Sequence, residues 1–279
     1  MWRRERRLWI LPLLLFLLGL GILLYPTVHG AMVDWKMKED SQRFLTRVEV
    51  SDSDPEDPSH QNGEDQTAAE ATVPEQYPEL WQDMTRYNQE IFQEGQAGLS
   101  GVDAYEVPSF CLADYGLDEE IFGVLSIPRL DLSMPIYLGA TDAHMATGAA
   151  HLSQTSLPIG GRNTNCVLAG HRGWNGAAYF LYLPELEPGD QVQLTNLWQT
   201  LNYQVVETKI IAPNQVEEIH IQENRDLLTL LTCHPPASGG KQRYLVICER
   251  IDLHDESAYP GAVTERETPT ISQVGNASG

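Results

Sequence analysis

From residue 121 onward the chain is cut into short apolar segments at intervals too small for a helix to return between them, and this spacing limits the fold more than any other feature. Candidate strands are Gly123 to Ile127, Leu132 to Tyr137, Asn165 to Ala169, Gln191 to Leu194, Leu201 to Ile211, Leu227 to Thr232 and Tyr244 to Glu249. They are rich in branched side chains, and turn formers such as Pro158-Ile159-Gly160-Gly161 and Pro188-Gly189-Asp190 separate them. Only short helices are expected to interrupt, around Thr141 to Ala150 and Ala177 to Leu183. A doubly wound sheet needs a crossover helix between successive parallel strands, so a mainly β, antiparallel or mixed barrel is the expected architecture.

Ahead of this region, Tyr77, Leu80, Trp81, Met84, Tyr87, Asn88 and Ile91 recur at spacings of three and four. They predict a helix over residues 76 to 94 whose stripe packs on the main domain, with Pro78 tolerated in its first turn. Residues 49 to 75 carry nine carboxylates and neither Lys nor Arg, a composition too polar and self-repelling to fold alone. The expected organisation is a basic tail (1–7), a membrane anchor (8–28), an acidic linker (29–75), a helix with a following segment (76–120), the barrel (121–251) and a polar tail (252–279).

The anchor rests on Leu8 to Tyr25, LWILPLLLFLLGLGILLY, which follows Arg3, Arg4, Arg6 and Arg7. Eighteen helical residues rise about 27 Å, enough with the next three to cross a hydrocarbon core. A signal peptide is the alternative. An uncleaved anchor is favoured because the run exceeds a typical signal core and the following HGAM is a poor cleavage site. The preceding arginines stay cytoplasmic, which places the rest outside. The whole chain carries −21 at neutral pH, so extended nucleic-acid binding is disfavoured.

Three residues stand out chemically: Cys233 at the end of LLTLLTC, His171 in His-Arg-Gly after the apolar run CVLAG, and Arg243 before YLVIC. A thiolate attacks a peptide carbonyl to form a thioester, a histidine protonates the departing amine, and an arginine donates hydrogen bonds to the oxyanion. Each alone has a commoner explanation: a core thiol, a solvated loop and a surface arginine. His234 follows Cys233 directly and, in a strand, points to the opposite face. Cys166 and Cys248 read as buried thiols, and disulfides 111–233 or 166–248 stay open alternatives. With no finger-like spacing and no HExxH, neither a metal nor an organic cofactor is expected.

At these residues the chain resembles the sortases, specifically the pilin-polymerising class C group. The resemblance runs over most of residues 76 to 251. It includes Ile127-Pro128, Pro135 to Gly139, Gly148 to His151, Thr155 to Pro158, Ala169-Gly170-His171-Arg172-Gly173, Thr229 to Cys233 and Arg243. It implies a closed eight-stranded barrel with short helices and an N-terminal helical extension. It also implies an extracytoplasmic cysteine transpeptidase of the Gram-positive cell wall. Such an enzyme cleaves an LPxTG-type signal between Thr and Gly, holds the acyl group on Cys233 and passes it to a pilin lysine. His171 would be general acid/base and Arg243 the oxyanion or substrate stabiliser. Implied partners are pilin or surface proteins bearing a C-terminal sorting signal, and the bilayer through the anchor.

Class C relatives commonly carry an Asp-Pro-aromatic lid over the cysteine. Here the corresponding positions read Gly101-Val102-Asp103, and Asp103 with Tyr105 are the candidate substitutes. The missing proline, with Gly98 and Gly101, implies a looser cover. Many class C members also have a second hydrophobic segment after the barrel, which residues 252–279 lack, so the N-terminal anchor is expected to serve alone. A housekeeping sortase that attaches proteins to peptidoglycan, and a noncatalytic extracellular assembly scaffold, are the alternative functions.

Overall fold

The computed structural model describes residues 2–52, 73–100 and 107–251. The lid positions Asp103 and Tyr105, most of the acidic stretch and the tail 252–279 lie outside the described residues.

Helix α1 spans Trp2–Asp52, and from Pro12 it is long and apolar enough to cross a membrane. Its apolar side chains there face outward, with Leu23 74% exposed. The expected linker at 29–75 is corrected for residues 29–52, which continue this helix. The reason is a second stripe. Met37, Ser41 and Phe44 are buried, Leu45 and Val48 are partly so, and the spacing of three and four lays them along the barrel. Lys38 to Asp131 at 2.7 Å and Arg47 to Glu119 at 2.6 Å flank the seam. Helix α2, Pro78–Gln93, buries Leu80, Met84, Asn88 and Ile91 as its periodicity predicts. Leu80 and Met84 meet Phe44 of α1 together with Phe122 and Leu157.

Ten strands follow: β1 Ile121–Ile127, β2 Leu132–Leu138, β3 Ala149–His151, β4 Thr164–Ala169, β5 Arg172–Trp174, β6 Ala177–Tyr179, β7 Gln191–Asn196, β8 Thr200–Ile211, β9 Asp226–His234 and β10 Gln242–Arg250. Eight of them close a barrel in the order β1-β2-β3-β4-β9-β10-β8-β7. The pairs β2–β3 and β4–β9 are parallel and the rest antiparallel, so the sheet is mixed. Closure leaves no free edge in the barrel. Leu125, Ile136, Leu168, Leu194, Leu230 and Val246 belong to the main core.

Two expected helices are corrected. Of residues 141–150 only Asp142–Met145 is helical (α3), capped by Thr141, whose Oγ1 accepts from the His144 amide at 3.2 Å. Ala149–His151 instead supplies the strand that bridges β2 to β4. Ala177 to Tyr179 is β6, the return arm of a hairpin with β5. Asn175 and Gly176 form its two-residue turn at φ 48° and 88°. Positive φ at both positions defines the type I′ geometry that Asn-Gly favours, and it outweighs the helix preference of Ala-Ala.

Candidate active site

The barrel brings residues far apart in sequence to one place. Strands β4 and β9 pair in parallel from Thr164↔Asp226 to Ala169↔Leu231. Beyond the last pair the register continues through hydrogen bonds, Gly170 N to Leu231 O at 3.1 Å and Thr232 Oγ1 to Gly170 O at 2.8 Å. Gly170 and Thr232 are 62 positions apart, and so are His171 and Cys233. One more step along the same register therefore brings His171 beside Cys233.

Strand β10 supplies the third residue. It runs antiparallel to β9 with Arg243 directly opposite Cys233, so both side chains leave the same face. That face is the outer one. Val167, Ala169, Ile211 and Leu245 pack there with Leu231, whereas Cys166, Leu228, Leu230 and Cys248 point into the barrel. A cleft of about 280 Å³ opens on it, and His171, Cys233 and Arg243 all line it. Its other walls are largely apolar, including Leu152, Ile211, Val216 and Ile219. Thus a thiol, an imidazole and a guanidinium share one apolar-walled groove, an arrangement suited to acyl transfer.

Half-buried His171 packs its ring against Trp174 at 5.1 Å and edge-on against Tyr179 at 5.8 Å. Burial lowers its pKa, and the carboxylate of Asp142 opposes that shift. Arg243 Nη1 donates to the carbonyls of Gly240 at 2.7 Å and Gln242 at 3.2 Å. Gly240 has φ +74°, and a Cβ there would lie 2.9 Å from Arg243 Nη1 and 3.5 Å from Cys233 Sγ. The β9–β10 loop is therefore closely fitted over thiol and guanidinium alike. The neighbours of the two candidate residues are tied to each other: Arg172 bonds His234 Nδ1 and places its guanidinium 5.5 Å from the ring of Tyr244.

All four cysteines are free, which removes the 111–233 and 166–248 disulfides. Burial raises the pKa of Cys166 and Cys248 and suits them to inert packing. Asp142, Trp174, Thr232 and Gly240 join the neighbourhood of the three residues. Of these the sequence singles out only Thr232, within the run Thr229 to Cys233, while the Gly239-Gly240 pair is a visible signal of unusual backbone. Ahead of the lid positions, Leu99 is fully buried in the outer-face cluster, and Gln96 Oε1 accepts from the Ile221 amide at 2.6 Å. Among the described residues no group of three or more His, Cys, Asp or Glu could hold a metal ion.

A cysteine, a histidine and an arginine thus line one cleft at one end of parallel β4 and β9, and the sequence and fold that carry them match known proteins. A family model described as Sortase domain matches residues 125–251. Sortase D of Bacillus subtilis is 30% identical over 131 residues, covering 46% of this chain and 63% of that protein. The chain spans between 52% and 63% of the length of the curated relatives it matches. Among solved structures, a pilus-related sortase C of Group B Streptococcus is 30% identical with a TM-score of 0.51, covering 62% of this chain and 91% of that one. Sortase C of Clostridium perfringens, solved with the C-terminal cell wall sorting motif, is 26% identical with a TM-score of 0.57, covering 77% and 99%.

The chain belongs to the sortase family, and the solved structures it resembles are class C sortases.

Proposed function

We propose that the protein is a membrane-anchored cysteine transpeptidase that cleaves an LPxTG-type sorting signal between Thr and Gly and joins pilin subunits through a lysine isopeptide bond. One observation carries the reading: Cys233 stands cross-strand from Arg243 and one register step from His171, with all three on the wall of one cleft. The pilus-related and motif-bound relatives support the substrate class. Helix α1 holds the enzyme in the bilayer, and the arginines before its apolar run keep the barrel outside.

In the first half-reaction the Cys233 thiolate attacks the Thr carbonyl, and a new C–S bond forms as the carbonyl π pair moves to oxygen. Arg243 donates hydrogen bonds to that oxyanion, a contribution worth about 10²- to 10³-fold where comparable donors are removed. Collapse breaks the C–N bond, and His171 gives its proton to the departing glycine amine. The lysine amine then attacks the thioester, the C–S bond breaks and the thiolate leaves. The amine proton returns to His171. Burial of His171 favours the neutral ring that accepts a proton in the second half and disfavours the imidazolium that donates one in the first, a shift the Asp142 carboxylate opposes.

The test is to incubate the full chain with a sorting-signal peptide and determine intact mass. A covalent adduct of the peptide's acyl half is expected in the wild type and not in Cys233→Ala. If both proteins support pilus assembly equally and neither forms the adduct, the noncatalytic scaffold reading replaces this one. Supplying a lysine peptide or a cell-wall amine and sequencing the product separates pilin joining from peptidoglycan anchoring.

A further inference from the structure

The hairpin that carries the neighbours of His171 is pressed against the helix that carries the membrane anchor. At its tip, the backbone of Gly176 touches the backbone of α1 at Pro26 and Gly30, and a methyl group on either glycine would run into the other segment. His29 Nδ1 lies 3.3 Å from Asn175 O, and Asp34 Oδ1 accepts from the Ala178 amide at 3.4 Å. Pro26 immediately follows the apolar run that ends at Tyr25, and Gly30 stands one helical turn, about 6 Å, beyond it. The tip is thus fixed at the height where an anchored α1 leaves the hydrocarbon.

From there α1 follows the barrel away from the membrane. Fourteen residues on, about 21 Å higher, Phe44 packs in one cluster with Leu157 and Ile159. Those residues lie near the start of β4, and the start of β9 is beside it, whereas His171 follows the opposite end of β4 and Cys233 stands in the last residues of β9 at that same end. The site end of the barrel is accordingly its membrane-proximal end. Charge agrees independently. In a chain with 39 acidic residues, residues 171–182 include none. They present Trp174 at 43% and Tyr182 at 48% exposure, and on α1 Tyr25, the residue before Pro26, is 65% exposed. Exposed aromatic rings on a segment with no carboxylate of its own are what a lipid headgroup layer accepts, and the Asp34 carboxylate of α1 beside it is engaged by the Ala178 amide.

We propose that the β5–β6 hairpin rests in the headgroup layer of the bilayer that α1 spans, with Trp174 as its interfacial contact. The cleft then works at the membrane surface, because the His171 ring packs on Trp174 itself. Sorting signals lying close to the bilayer reach it without the substrate being lifted away. This inference rests on the anchor reading of α1.

The test uses the full chain in phosphatidylcholine nanodiscs, in a Cys111→Ala, Cys233→Ala background that leaves only buried native thiols. An environment-sensitive dye is attached at Asn175→Cys, at Asn224→Cys or at Gly19→Cys. Asn175 and Asn224 both have left-handed backbone, at φ 48° and 63°, so the two substitutions carry similar strain. Asn224 lies two residues before β9, at its far end. Lipid bearing a headgroup nitroxide should roughly halve emission at 175 while leaving 224 unchanged, with iodide in water doing the reverse. Iodide quenching at 175 equal to that at 224 overturns the proposal. Protection of 175 from both quenchers overturns it as well, and assigns the hairpin to a protein cover such as a second copy. The Gly19 label, read with a lipid that carries its nitroxide on the acyl chain, separates the two readings: if it is quenched by iodide in water, the anchor fails, and if it is quenched by that lipid while 175 is not quenched by the headgroup nitroxide, only the hairpin inference fails. Should Asn175→Cys fail to fold, nitroxide-lipid quenching of wild-type minus Trp174→Phe tryptophan emission gives the same answer.

Discussion

Replacing Gly240 by alanine tests whether the β9–β10 loop holds Arg243 in a working position or merely closes the barrel. Two consequences can be separated. The backbone at Gly240 has φ +74°, and an L side chain there costs about 1 kcal/mol. In a domain of this size that lowers Tm by about 2–4 °C. The second consequence is contact: the new Cβ would stand 2.9 Å from Arg243 Nη1, closer than such contacts tolerate, while its 3.5 Å to Cys233 Sγ is ordinary packing. The guanidinium is the free end of a flexible side chain, so moving it costs the fold little. It costs the reaction more, because a displaced donor no longer meets the oxyanion, and a loss of about ten- to a hundredfold in kcat/KM is expected. Gly239 is the control. It has φ +70° with nothing within 4 Å of its added Cβ, so Gly239→Ala carries the same strain without the collision. Thermal melts and transpeptidation with a sorting-signal peptide should show equal stability losses and unequal activity losses. Equal activity in the two variants refutes the argument.

Other perturbations address the same geometry. Thr232→Val removes the 2.8 Å bond to Gly170 O and should destabilise the domain by about 1–3 kcal/mol in denaturant melts, with kcat reduced as the β4–β9 register loosens at His171; an unchanged kcat would speak against that link. Asp142→Asn should move the His171 titration to lower pH by imidazole NMR, because the carboxylate opposes the lowering by burial; a shift to higher pH contradicts the assignment. Buried His151 has its pKa lowered to about 4, so the unfolded chain, at about 6.5, binds the proton first. Stability is then complete above about pH 6.5 and declines by about 3 kcal/mol as pH falls towards 4; His151→Gln should flatten that part of the profile, and an identical slope in both proteins would rule His151 out as its source. Mass-mapped alkylation of the native protein should modify Cys111 and Cys233 first, reaching Cys166 and Cys248 only in denaturant.

Periodic elements were the legible part of the sequence. The stripe from Tyr77 to Ile91 gave α2 because three- and four-residue spacing states a helix directly, and the segments from Ile121 to Glu249 gave seven of the eight barrel strands. What failed was obscured by stronger local signals. Carboxylates from Glu49 onward drew attention from the stripe of Met37, Ser41, Phe44 and Val48, whose helix is stabilised by the barrel it touches rather than by its own composition. Ala149–His151 is too short to show a period, and its strand state comes from its neighbours β2 and β4. At Ala177 to Tyr179 the helix preference of Ala-Ala hides the strand, although the preceding Asn-Gly already states a hairpin. Within the site, the chemical types of Cys233, His171 and Arg243 were readable, but their meeting was not: a separation of 62 acquires meaning only through a parallel partner strand.

Strand parity also explains why one chain carries free cysteines of such different surroundings. Leu228 and Leu230 of β9 face the barrel interior, with Cys166 from β4 and Cys248 from β10 in the same core. Cys233 is displaced from Leu228 by an odd number of residues, and so falls on the outer face with Leu231. A slip of one residue in β9 would exchange the faces, place the thiol in the core and turn Leu230 into the cleft. The Thr232 to Gly170 bond, the Cys233↔Arg243 pair and the Arg172 contact with His234 each oppose that slip from a different side. The neighbours that fix the register thereby also fix which sulfur meets a substrate. The partial exposure of Cys233 and the burial of Cys166 and Cys248 are a single structural decision, made by pairing rather than by three separate environments.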